Sequence, residues 1–160
     1  METTQRSFEI ALKKGELGER IFRDFLECRG WIVYQPLTKD KAHAFDILAT
    51  KDKTQIIGID VKTKARLNKY AAQGINVKSW NEYLSFRSKM NIPFYLVFID
   101  DKTGDVHSFE IGSKISSFNL TDKIIAWYLK DMDFLFNIGE YNIEELSKLD
   151  QRNYLFNPNI

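Results

Sequence analysis

Two acidic residues and a lysine stand close together in an apolar stretch of the sequence. The segment 44–64 reads AFDILATKDKTQIIGIDVKTK and contains Asp46, Asp60 and Lys62. A run of β-branched residues predicts a strand over Gln55–Thr63, and side chains alternate between the two faces of a strand. Asp60 and Lys62 therefore share one face, with a carboxylate and an ammonium group in otherwise apolar surroundings.

Asp46 joins this pair if the turn at residues 51–53 closes a hairpin. A strand over Phe45–Ala49 then places Asp46 nearly opposite Gly58 or Asp60, and either register puts the two carboxylates on one face within about 8 Å. Carboxylates that close repel each other unless a positive charge lies between them. Lys62 can supply that charge, but Mg²⁺, which takes one or two carboxylates and several waters, supplies it better. The alternative is a solvent-facing edge strand, with Asp46 as a residue at a strand end.

A helix predicted over Leu17–Cys28 offers a third carboxylate. Its apolar stripe consists of Leu17, Ile21, Phe22, Phe25 and Leu26. Glu19 falls at the edge of this stripe, and Gly15 and Gly18 fall within it, where missing side chains allow a close approach to a sheet. Among the acids of this helix, Glu19 is therefore the best placed to reach a site on that sheet.

The order of these residues resembles the signature of the PD-(D/E)XK nuclease superfamily. Asp46 matches the first aspartate of the signature, Asp60 its second acid and Lys62 its lysine, although Phe45 stands where the family has proline. The segment GELGER at residues 15–20 is similar to the G-x-x-x-E helix of Holliday-junction-resolvase-like members, which aligns Glu19 with the helix glutamate. With the later segments NIPFYLVFID and GDVH, the resemblance covers residues 12–112.

The resemblance implies a metal-dependent endonuclease that hydrolyses DNA phosphodiester bonds, and cleavage of branched, Holliday-junction-like DNA is the most specific form of this hypothesis. Mg²⁺ or Mn²⁺ would be held by Asp46, Asp60 and Glu19, with the backbone carbonyl of Val61 as a further ligand. Lys62 would orient the attacking water, stabilise developing negative charge, or act as a base if burial lowers its pKa. A homodimer is expected, because cutting two strands usually needs two sites. The alternatives are a restriction- or repair-type nuclease and a non-catalytic nucleic-acid-binding or protein-interaction module that retains the fold.

Positive charge is unevenly spread along the chain, whose net charge is +1. Residues 1–90 hold 17 Lys and Arg against 11 Asp and Glu, whereas residues 91–160 hold 6 against 11. A locally positive surface attracts phosphate, although lysine-rich surface loops are also common without that role. The candidate nucleic-acid contacts that follow the acidic pair are Lys64, Arg66, Lys69, Gln73 and Lys78.

The remaining periodicity predicts the elements that position these residues. Helices are expected over Trp80–Lys89, Thr121–Leu129 and Ile143–Leu149, and strands over Phe94–Ile99 and Val106–Ile111. We therefore expect an α/β fold with a restriction-endonuclease-like core, in which helices flank a central mixed sheet. All of residues 1–160 would form one domain, with the nuclease-like core over residues 12–112 and a helical C-terminal extension over residues 113–160.

Helical spacing of aromatic residues and overall composition complete these expectations. Trp80, Tyr83 and Phe86 recur every third residue, which favours packing of one helix face over base stacking. With 44% hydrophobic and 28% charged residues, the composition is that of a globular protein. The N-terminal METTQRSFEI has no signal-peptide core, and no apolar run approaches the roughly 20 residues that span a bilayer, so we expect a cytoplasmic protein.

Overall fold

The computed structural model describes residues 2–36, 45–52 and 54–151. Within these ranges the elements are α1 (Glu2–Glu27), β1 (Ile32–Tyr34), β2 (Ile47–Thr50), β3 (Ile56–Thr63), β4 (Ala72–Asn76), α2 (Val77–Met90), β5 (Phe94–Ile99), β6 (Asp105–Glu110), β7 (Ser117–Asn119), β8 (Ile124–Tyr128), a 3-10 turn (Leu129–Asp131), β9 (Asp133–Asn137) and α3 (Gly139–Gln151). No helix in the described ranges is both long enough and apolar enough to cross a membrane.

Two sheets form the framework. The main sheet has six strands in the order β1-β2-β3-β5-β6-β9, with β3 and β5 parallel and the other neighbours antiparallel. The small sheet has the order β4-β8-β7. Helices α1 and α3 pack on one face of the main sheet, while α2 and the small sheet pack on the other. The predicted α/β fold, a mixed sheet flanked by helices, is confirmed.

The hairpin of β2 and β3 has one of the two predicted registers. Ile47 pairs with Ile59 and Ala49 with Ile57, so continuing the ladder by one residue sets Asp46 opposite Asp60. The neighbours of β3 are β2 and β5, so β3 is an interior strand. The edge-strand alternative for Asp60 is therefore wrong.

Helix α1 lies close to β3 at a glycine. A Cβ atom built on Gly18 would lie 1.8 Å from Oγ1 of Thr63, so only glycine allows this approach. Gly15, which was expected to help, has no atom within 4 Å of its own Cβ position. The helix also begins much earlier than predicted, because its first half is polar and carries no buried stripe that a periodicity search would detect.

The part of the chain after residue 113 differs most from the sequence-based expectation. The helix predicted over Thr121–Leu129 is wrong, because this segment contains strand β8, which pairs with both β4 and β7. Its β-branched and aromatic residues suit a strand once partners are supplied from elsewhere in the chain. The helix predicted over Ile143–Leu149 is confirmed within α3. Residues 113–151 therefore contain three strands and one helix rather than a helical extension, and β9 joins the main sheet.

Candidate active site

Asp46 lies just before β2 and is fixed there by two backbone hydrogen bonds. Its own N–H donates to the carbonyl of Ile59 at 3.0 Å, and its Oδ2 accepts from the N–H of Val61 at 2.7 Å. The Asp46 carboxylate is thus hydrogen-bonded to the backbone of β3 at the residue that follows Asp60, just beyond the end of the β2–β3 ladder. Burial, together with repulsion from Asp60 and Glu19, raises the pKa of Asp46 to about 7, against the opposing effects of Val61 and Lys62.

Asp60 is buried beneath α2 with two charge-compensating partners. Only 4% of the residue is exposed. Its Oδ2 accepts a 2.7 Å hydrogen bond from the hydroxyl of Tyr83 and forms a 2.6 Å ion pair with Nζ of Lys62. A buried carboxylate is costly unless such partners are present, so this cluster is a built feature of the fold rather than a solvated surface.

The electrostatics of the cluster define the protonation state of Lys62. Burial alone would lower the pKa of Lys62, but the attraction of Asp60 and hydrogen bonds to Asp60 and Tyr83 raise it above its ordinary value. Burial and the charge of Asp60 likewise raise the pKa of Tyr83. At neutral pH the site therefore holds an ammonium group and a neutral phenol. The Lys62 side chain is 34% exposed, so its charge also faces solvent.

Glu19 and Val61 complete the set of predicted ligands. Glu19 is half-buried on α1, and its charge contributes to the raised pKa of Asp46, which places it near the same site. Among the described residues, however, no three Asp, Glu, His or Cys side chains lie close enough to form a metal-binding group. Val61 is buried within β3 and contributes its N–H to Asp46. The two aspartates therefore form the centre of the site, and Glu19 lies farther out.

The predicted nucleic-acid contacts separate into buried and exposed groups. Nζ of Lys64 donates to the carbonyl of Gly74 in β4, and burial followed by repulsion from Lys62 lowers the pKa of Lys64. Gln73 is only 1% exposed and donates from Nε2 to the carbonyl of Lys64 at 3.3 Å. These two residues join the end of β3 to the small sheet. Lys69 and Lys78 are exposed, the latter in the first turn of α2.

Arg66 is engaged in ion pairs. Its Nε lies 2.5 Å from Oδ2 of Asp100, and its NH2 group lies 3.4 Å from Oδ2 of Asp105 and 2.9 Å from Oγ1 of Thr103. These bonds hold the loop after β3 against the turn between β5 and β6. The structure thus places Arg66 as an anchor of the loop that leaves the site.

Tyr83 is the site residue that sequence reasoning missed. The helical spacing with Trp80 and Phe86 correctly indicates a packed face of α2, but the phenolic hydroxyl meets Asp60 rather than a purely apolar core. The signal that identifies it is the polar end of a tyrosine in a buried stripe, because a buried hydroxyl needs a hydrogen-bond partner. Asp60 is the partner that points toward the same face.

Comparison with known proteins identifies the fold. No family model matches the sequence, and no curated protein is significantly similar to it. Among solved structures, the chain is similar to the Holliday junction resolvase Hjc of the archaeal hyperthermophile Archaeoglobus fulgidus, with a TM-score of 0.55 and 16% identity, over 81% of this chain and 95% of that chain. It is less similar to D212, a nuclease from a fusselovirus, with a TM-score of 0.42 and 10% identity, over 85% of this chain and 89% of that chain. The likeness to Hjc shows a restriction-endonuclease-like nuclease fold.

Proposed function

We propose that this protein is a metal-dependent endonuclease that hydrolyses DNA phosphodiester bonds, with branched DNA of the Holliday-junction type as its leading substrate. One observation carries the proposal. Asp46 and Asp60 each lie one residue beyond Ile47–Ile59, the last pair of the β2–β3 ladder, and Lys62 forms an ion pair with Asp60. Fold alone does not define an activity, so these three side chains, set within the fold that Hjc also has, are the argument for hydrolysis.

The two aspartates fit a divalent cation by the chemistry of their oxygens. Among the described residues, the side-chain hydrogen bonds and the ion pair of these aspartates end on Oδ2 of Asp46 and on Oδ2 of Asp60, so the Oδ1 atoms are the ones that a cation would take. Two carboxylates with water in the remaining positions suit Mg²⁺ or Mn²⁺. Glu19 would then contribute through water, and the Val61 carbonyl is a further candidate ligand. A bound cation supplies Lewis acidity at the phosphoryl oxygen and lowers the pKa of a bound water.

The other side chains have separate roles in this proposal. Lys62 keeps its proton, because its pKa is raised rather than lowered, so it stabilises negative charge on the phosphoryl oxygens instead of acting as a base. Tyr83 positions the Asp60 carboxylate through its hydroxyl. Of the candidate DNA contacts, Lys69 and Lys78 are exposed and suited to phosphates, whereas Lys64, Arg66 and Gln73 hold the loop that leads to them.

A second copy of the chain is part of the proposal. One site hydrolyses one phosphodiester bond at a time, so paired cuts in a junction require two sites held together. We therefore propose a homodimer as the active form.

The test is cleavage of labelled DNA by Asp60→Asn, with plasmid, single-stranded, flap and four-way-junction substrates in Mg²⁺ and in EDTA. Asparagine preserves the Tyr83 hydrogen bond but removes the charge, so cleavage should fall by about 100-fold or more while folding is retained. Lys62→Met should also lose cleavage, because its charge faces the phosphoryl oxygens.

Asp52→Asn is the matched control, since Asp52 lies in the turn of the same hairpin and is exposed. Its cleavage rate should equal that of the unmodified protein. Full cleavage by folded Asp60→Asn would reject the proposed nuclease. DNA binding without cleavage of any substrate would favour the non-catalytic module.

A further inference from the structure

Three aromatic side chains on the outer surface of the small sheet form a row, in which the middle ring contacts the other two. The rings of Tyr70 and Phe118 lie 5.6 Å apart at 61°, and those of Phe118 and Tyr128 are stacked 4.7 Å apart at 28°. Tyr70 is 41% exposed and Tyr128 36% exposed, and Phe118 is half-buried. We call these three residues the aromatic platform. None of them belongs to either of the two core clusters, so core packing does not explain them.

The cross-strand neighbours of the platform are small. Tyr128 pairs with Ala72, and Phe118 pairs with Ala126. Large residues of the same strands, such as Trp127, point the other way and are buried against Trp80 and Phe109. The rings therefore lie over small residues that are fully buried, while Tyr70 and Tyr128 keep part of their own surface exposed to solvent.

One lysine lies beside a ring of the platform, and others occur in the same segments of the sequence. Nζ of Lys130 lies 5.7 Å from the centroid of the Tyr128 ring, and Lys69 precedes Tyr70 in the chain. The segments 67–76 and 112–131 contain four lysines (Lys69, Lys114, Lys123 and Lys130) against two aspartates (Asp122 and Asp131). Tyrosine is common in protein–protein interfaces, but lysine is depleted there, so this combination favours a polyanion over a protein partner.

The platform is connected to the candidate active site through β4. Lys64 follows Lys62 by two residues, and its Nζ bonds the carbonyl of Gly74. Gly74 is two residues from Ala72, the partner of Tyr128. The platform and the candidate active site are therefore both attached to the same buried strand, β4.

We propose that the aromatic platform binds unpaired nucleotides of single-stranded DNA, with bases stacked on Tyr70, Phe118 and Tyr128 and phosphates neutralised by the surrounding lysines. Stacking on aromatic rings beside a cationic path is the general means by which proteins bind single strands without reading their sequence. This inference rests on the proposed nuclease function where it concerns the substrate. It predicts that the DNA substrate has an unpaired segment next to the bond that is cleaved.

The experiment measures binding in EDTA, so that no cleavage is needed. A fluorescent thymidine oligonucleotide of about ten nucleotides is titrated by anisotropy, alongside an abasic oligonucleotide of equal length. The abasic strand keeps the phosphates and lacks the bases, so it should bind more weakly than the thymidine strand. Tyr128→Ala and Tyr70→Ala should each weaken binding of the thymidine strand about 5-fold or more, with little effect on the abasic strand.

Two variants serve as controls. Tyr128→Trp retains a stacking surface and should bind as the unmodified protein does. Tyr141→Ala removes a 72% exposed tyrosine on α3, on the opposite side of the main sheet, and should not change binding.

Equal binding of the thymidine and abasic strands, or unchanged binding by both alanine variants, would overturn the inference. So would a change in oligomeric state on gel filtration of Tyr128→Ala, which would make the platform a protein contact. Failure of the proposed nuclease is a separate result, because it is measured by cleavage with Asp60→Asn. If Tyr70→Ala and Tyr128→Ala weaken binding while Asp60→Asn still cleaves at the full rate, only the proposed nuclease site is rejected, and the inference about the platform stands.

Discussion

Replacing Asp46 by asparagine should stabilise the metal-free protein at pH 8 while abolishing cleavage. The pKa of Asp46 is raised from 3.8 to about 7 by burial and by repulsion from Asp60 and Glu19. Between about pH 4 and pH 7 the folded protein therefore holds a proton that the unfolded chain has lost, and the free energy of unfolding falls as the pH rises through this window.

The magnitude follows from the size of the shift. About three pKa units at 1.36 kcal/mol per unit amount to a cost of about 4 kcal/mol at pH 8, and to about 2 kcal/mol at pH 5, where part of the titration is complete. Asparagine carries no charge, and its side-chain oxygen can still accept the hydrogen bond from Val61. Asp46→Asn should therefore exceed the unmodified protein in stability by these amounts.

Urea unfolding followed by tryptophan fluorescence at pH 5 and pH 8, in EDTA, measures the difference. Asp52→Asn is the control, because Asp52 is exposed and the hydrogen bonds it accepts from Thr54 and Gln55 lower its pKa, so its replacement should give no gain in stability. Added Mg²⁺ should then stabilise the unmodified protein at pH 8 but not Asp46→Asn, by mass action on the folded state. A stability difference that is the same at both pH values, or a less stable Asp46→Asn at pH 8, would refute this account of the site.

Two further predictions concern the support of the site. Tyr83→Phe should lower the free energy of unfolding by about 1–3 kcal/mol and reduce cleavage, because the buried Asp60 carboxylate loses a hydrogen bond. Urea unfolding and the cleavage rate measure these two effects, and an unchanged free energy of unfolding would contradict the role of this hydrogen bond. Gly18→Ala should destabilise the protein by about 1–3 kcal/mol despite the better helix propensity of alanine, whereas Gly15→Ala, with open space at its Cβ, should stabilise it by up to about 1 kcal/mol. Thermal unfolding of the two variants measures both effects. Equal effects at the two positions would show that α1 packs less closely on β3 than the contact at Gly18 indicates.

The strands that carry the candidate site could be predicted because their signals are local. Alternation within β3 places Asp60 and Lys62 on one face, and a short turn leaves few possible registers for the hairpin, so Asp46 had to fall near Asp60. The mixed α/β architecture follows from the same kind of local pattern. Tyr83 was harder to assign, because its role depends on which face of the sheet α2 covers, and helical spacing carries no information about that.

The small sheet could not be predicted, because its strands come from distant parts of the chain. In the sequence, strand β4 falls between β3 and α2, while β7 and β8 fall between β6 and β9. An isolated segment such as Ile124–Tyr128 is compatible with either a helix or a strand, and only the pairing with Ala72–Asn76 decides between them. The error over Thr121–Leu129 is thus a tertiary effect that overrides a local preference.

The same arrangement has a functional consequence. The small sheet forms only if β4 meets β8, and β4 is tied to the end of β3 by Lys64 and Gln73. The inner side of this sheet is closed by Trp127, which is 1% exposed and lies against Trp80 of α2, the helix that also carries Tyr83. A single packed unit therefore supports both the Asp60 carboxylate and the aromatic platform. Because packed cores yield little to applied strain, the platform and the two aspartates should keep a fixed separation. If both bind DNA as proposed, a strand held at the platform would be presented to the aspartates at a defined distance.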